Sequence, residues 1–76
     1  MYTLNMVKHN AFKAAMGQNE WDVHTLTGYE TVALAQLVAR DLFRSARAYL
    51  FAEIGDGNGV KAYGQSHDDG TVSWAV

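Results

Sequence analysis

Only one stretch of this sequence, residues 28–45, has the apolar spacing of a long helix, and that limits every architecture open to the chain. Turned by about 100° per residue, Val32, Leu34, Ala35, Val38, Ala39, Leu42, Phe43 and Ala46 fall on one broad arc. Glu30, Gln36, Arg40, Asp41, Arg44 and Arg47 fall on the other. The start is read at Thr27, with Glu30 three residues on, because hydroxyl and carboxylate can each satisfy a backbone N–H left over at the helix end. The pattern therefore predicts a helix from Gly28 to Ser45, capped by Thr27.

The rest of the chain alternates in the manner of strands. In "YTLNMV" Tyr2, Leu4 and Met6 oppose Thr3, Asn5 and Val7, and in "EWDVHTL" Trp21, Val23 and Thr25 oppose Glu20, Asp22 and His24, as in a half-buried strand. Between them, "KHNAFKAAMGQN" supports either a short helix ending at Gly17 or a long loop. After the helix, Ala48–Ile54, the turn "GDGNG" and Val60–Gln65 read as a hairpin, because Gly and Asn tolerate the positive φ of tight turns. "SHDDG" then turns into "TVSWAV", which closes a meander. The expected fold class is α+β: a small antiparallel sheet of four to five strands packed on one main helix, in the order β-β-α-β-β-β, as a single domain over residues 1–76.

One helix can cover only one face of such a sheet. Leu50, Ala52, Ile54, Val60, Ala62, Val72, Trp74 and Val76 make a coherent face to lie beneath it. The opposite face then collects Tyr49, Phe51, Glu53, Lys61, Tyr63, Thr71 and Ser73, with Tyr49, Phe51 and Tyr63 as an aromatic cluster. Three kinds of cover suit it: the segment Lys8–Asn19 folding back through Phe12 and Met16, a second copy of the chain, or a different partner. A chain this short buries only about 60% of its unfolded surface, and with no cysteine it has no disulfide to compensate. A composition that is 49% hydrophobic with 18% charged residues still excludes disorder.

The helix offers a second surface. Leu37 lies inside its polar arc beside Arg40, Arg44 and Arg47, as an apolar anchor among guanidinium groups able to grip phosphate or carboxylate. The plainer readings are an ordinary exposed leucine and arginines that complement the helix dipole. The binding residues are thus taken as Tyr49, Phe51, Tyr63, Leu37, Arg40, Arg44 and Arg47.

Catalysis finds little support. Ser66, His67, Asp68 and Asp69 are hydrolase residue types, but adjacent side chains diverge and do not align as nucleophile, base and orienting carboxylate. His9, His24 and His67 lack zinc-site spacing, and "GDGNG" lacks the later acidic ligands of a calcium loop, so no metal or cofactor is expected. The net charge of -2 and the scarcity of cations around the sheet aromatics argue against direct nucleic-acid binding. No window is apolar enough to span a membrane and the first residues lack a secretory pattern, so a cytoplasmic protein is expected.

The sequence of elements has a parallel. Two strands leading into "HTLTGYETVALAQLVARDLF", followed by "RAYLFAEI", "GVKAYGQ" and "TVSWAV" as a closing meander, resembles the layout of small phage-encoded inhibitors of host machinery, anti-CRISPR proteins among them. The resemblance covers nearly the whole chain as architecture and transfers no residue roles. It implies a non-enzymatic inhibitor in the cytoplasm of a bacterial host cell, occupying a surface of an effector protein or ribonucleoprotein such as a CRISPR surveillance complex. The alternatives are a homodimeric accessory or regulatory protein and a small RNA-binding module.

Overall fold

A computed structural model describes residues 1–46 and 48–76. The chain forms β1 (Tyr2–His9), α1 (Ala11–Ala15), β2 (Trp21–Tyr29), α2 (Val32–Ser45), β3 (Tyr49–Asp56), β4 (Gly59–Ser66) and β5 (Val72–Ala75). The strands make one antiparallel sheet in the order β2-β1-β3-β4-β5. β2 and β3 both run antiparallel to β1, so α2 carries the chain across β1 to the strand on its far side. This is the predicted α+β architecture.

The main helix begins later than the sequence predicts. Thr27 and Gly28 continue β2, and the N-cap is Thr31, whose hydroxyl accepts from the Leu34 N–H at 3.1 Å. The Thr27–Glu30 pairing is therefore incorrect: Gly28, at φ +93°, falls in the irregularity between the Leu4–Leu26 and Tyr2–Tyr29 pairs, and β2 stays paired with β1 through Tyr29. With the start moved, Ala35, Ala39 and Phe43 form the buried stripe of α2, and Leu34, expected on the apolar arc, is exposed.

The core lies between α2 and one sheet face. Leu4, Met6, Ala52, Ile54 and Ala62 supply its sheet side, and Leu26, Tyr29, Val72 and Trp74 pack around it. Alanines on both layers let the α2 backbone approach the sheet closely over β3 and β1. Toward β5 Trp74 fills the gap. A Cβ added to Gly64, its cross-strand partner, would come within 2.7 Å of the indole, so the missing side chain makes room for the ring. Val60 and Val76, predicted for this face, are exposed: a register shift between Ile54 and Gly55 pairs Val60 with Gly55 and sets it beside Thr3, Asn5 and Glu53 on the other face, and Val76 lies past the end of β5.

Segment 8–19 is no cover for the opposite face. α1 is a five-residue helix held beside β2 by polar contacts. The Asn10 side chain caps it by accepting from the Lys13 N–H and also donates to Asp22 at 2.9 Å, and Lys13 Nζ reaches the other Asp22 oxygen at 2.6 Å. Phe12 and Met16 remain 74% and 62% exposed.

Candidate functional site: the open sheet face

Cross-strand pairing sorts the residues of the uncovered face into rows. His9 pairs with Trp21, and the next row runs Val23, Val7, Phe51, Gln65, Ser73. A third runs Thr25, Asn5, Glu53, Tyr63, Ala75. Trp21 stands edge-on to both neighbours, with ring centroids 5.2 Å from His9 and 5.7 Å from Phe51, in the range favoured by aromatic quadrupoles. Trp21, Val23, Phe51 and Tyr63 are all exposed. A shallow trough of about 320 Å³ runs past Phe51 and Tyr63 and is edged by Val7, Gln65 and Ser73.

The charges around this apolar band are few and of both signs. Glu53 lies in the third row, and His9 faces Glu20 at 3.3 Å at the rim. Thr25 and Asn5 satisfy one another at 2.7 Å, so that end of the face offers a closed polar pair. The surface suits a mostly apolar partner with scattered polar groups and carries no dense basic footprint.

Tyr49 does not belong to this face. The ladder pairs Val7 with Phe51 and then Lys8 with Tyr49, skipping Leu50, and this irregularity turns Tyr49 to the helix side. There it packs against the core, with its hydroxyl 3.2 Å from the His24 ring and Lys8 Nζ 5.9 Å from its own ring centroid. Trp21 takes its place in the cluster. The alternation in β2 had set Trp21, Val23 and Thr25 as the half-buried side, whereas Leu26 and Tyr29 are the β2 residues that reach the core. Trp21 and Val23 were therefore missed as surface residues, while half-buried Val7 lies opposite Leu4 and Met6 as the alternation expects. Their alternation was visible in the sequence, but the register that aligns Val7 with Val23 and Phe51 was not.

The helix residues lie elsewhere. Leu37 is 56% exposed on α2, and Arg40 and Arg44 border the crevice between α2 and the β4–β5 turn, on the helix side of the sheet. The structure thus brings Phe51 and Tyr63 onto one surface and separates them from the arginines. Arg47 lies outside the described residues.

The turn "SHDDG" separates its own polar groups. Ser66 donates to the Tyr49 carbonyl oxygen at 3.1 Å, the His67 ring nitrogen lies 2.6 Å from Ser73 Oγ, and Asp69 accepts from both the Thr71 N–H and hydroxyl. Those two bonds from Thr71 hold the Asp69 pKa below its ordinary value. Among the described residues, no three His, Asp or Glu side chains gather as metal ligands, and no helix is long and apolar enough to cross a membrane.

No family model, curated protein or solved structure matches the chain. What defines it is its build: a small α+β protein with one sheet face packed under a helix and the other open and aromatic.

Proposed function

We propose that this protein is a non-enzymatic inhibitor that docks on a protein partner through the open sheet face. The observation that supports this most directly is the exposure of Trp21, Val23, Phe51 and Tyr63 together, beside a half-buried Val7, on a sheet surface that nothing in the described chain covers. Aromatic side chains concentrate binding energy at interfaces because each buries a large area with few torsions to fix. The architectural resemblance directs the choice of partner to a bacterial effector, with the nucleic-acid-binding subunits of a CRISPR surveillance complex first.

Capture of purified surveillance complexes by the tagged protein tests this reading. The expected result is stoichiometric capture that Phe51→Ala with Tyr63→Ala reduces by at least tenfold, since two aromatic anchors are each worth about 1 kcal/mol or more. Unchanged circular dichroism would show that the fold survives. Capture that persists in the double variant would move the contact away from this face. If light scattering instead finds a dimer that Tyr63→Asp dissociates, the face is a self-association surface and the inhibitor reading fails.

A further inference from the structure

Arg40 and Arg44 lie one turn apart on α2, and both border one crevice whose other wall is Gly70, Thr71, Val72 and Trp74. Arg44 also edges the adjoining hollow, which holds Ser66, His67 and Asp68. Both guanidinium groups are exposed, and among the described residues neither forms an ion pair. Two other cations are occupied: Lys13 reaches Asp22 at 2.6 Å, and Lys8 lies over the Tyr49 ring. Among the described residues no carboxylate forms an ion pair with either arginine, although Asp41 lies between them in the helix sequence and Asp68 shares the adjoining hollow with Arg44. Asp69 is engaged by Thr71, at 3.0 Å from its N–H and 2.6 Å from its hydroxyl.

We propose that this crevice binds a phosphate group, with Arg40 and Arg44 as paired forks. A carboxylate carries one charge on two oxygens, which a single guanidinium saturates in bidentate fashion. A phosphoryl dianion carries about two charges on three terminal oxygens and uses both forks. The spacing of four residues on a regular helix presents the two groups side by side, so little ordering is needed on binding. The Trp74 ring, packed over Gly64 at the crevice wall, offers an apolar side to whatever carries the phosphate. This site lies across the sheet from the aromatic face, and the inference stands independently of the docking reading.

The test uses Trp21→Phe protein, in which Trp74 is the remaining tryptophan of the two, titrated with inorganic phosphate and with adenosine monophosphate at ionic strength matched by sodium chloride. Amide spectra of the unaltered chain, read at Gly70 and Thr71, run alongside in case the substitution disturbs folding. The expected result is a saturable change at Trp74 and at those amides, weakened about tenfold or more by Arg40→Gln with Arg44→Gln, as the loss of charge-assisted bonds requires. Arg40→Lys with Arg44→Lys keeps the charge and loses the fork, so it is expected to bind several-fold more weakly than the unaltered chain. Tighter binding of the nucleotide than of inorganic phosphate would place the carrier against Trp74, and equal binding would confine recognition to the phosphate. A response no different from chloride, or a lysine variant that binds as the unaltered chain does, overturns the proposal.

Discussion

The two faces of this sheet are built from the same strands, yet they answer to different constraints. On the helix side, Leu4, Met6, Ala52, Ile54 and Ala62 are closed off by Ala35, Ala39 and Phe43. On the far side, Trp21, Val23, Phe51 and Tyr63 have no opposing layer. Phe43 is buried, whereas Phe51, the same side chain, is 40% exposed. Hydrophobic bulk alone does not decide burial. Ala35, Ala39, Ala52 and Ala62 let α2 approach the sheet, and what separates Phe43 from Phe51 is a second layer over the one and none over the other.

The sharpest way to break the comparison is to truncate one side chain on each face. Ile54→Ala leaves a cavity under α2 and is expected to destabilise the protein by about 2–5 kcal/mol, whereas Phe51→Ala on the neighbouring strand position of the open face is expected to cost under about 1 kcal/mol. Urea unfolding measures both. Equal losses would mean that the open face is covered in solution.

A smaller effect tests how the covering helix is anchored. Thr31→Ala removes the hydroxyl that accepts from the Leu34 N–H and is expected to cost about 1 kcal/mol, while Thr27→Ala, within β2, is expected to change stability by no more than about 0.5 kcal/mol. The reverse order would restore the cap at Thr27 that the sequence suggests.

The smallest effect concerns α1, the segment that stays beside the sheet instead of over its open face. The Lys13 hydrogen bond, then that of Asn10, holds the Asp22 carboxyl below its ordinary value of 3.8. A lowered folded-state pKa means that the charged form is favoured by folding. Its contribution is fully present above about pH 4 and is lost as the pH falls through the lowered value. Asp22→Asn is therefore expected to flatten part of the stability decline between about pH 4 and about pH 2, followed by urea midpoints. An unchanged acid limb would show that this network adds nothing to holding α1.

Several features were legible in the residues because they depend on neighbours close in sequence. The alternation in "YTLNMV", the turn "GDGNG" and the end of the helix near Ser45 all follow from local geometry. The errors arose where distant segments decide. "LTGYET" holds two threonines able to cap a helix, and what selects Thr31 is the continued pairing of β2 with β1 as far as Tyr2 and Tyr29. Tyr49 was assigned to the open face by counting in twos along β3, a count that fails where the ladder with β1 skips Leu50. At the candidate site Phe51 and Tyr63 were readable by counting in twos, since residues 51–54 and 62–65 pair in unbroken register. Trp21 was not, because its place beside Phe51 runs through β1.

The sequence by itself determined that a single helix must share the chain with more sheet surface than it can cover, because periodicities of 3.6 and of 2 are written in the order of apolar residues. Only the tertiary structure decided which side of each strand lies under that helix and which aromatics meet on the other. Those choices are set by register and by close approach between layers, and a one-residue shift in pairing moves a side chain from one face to the other.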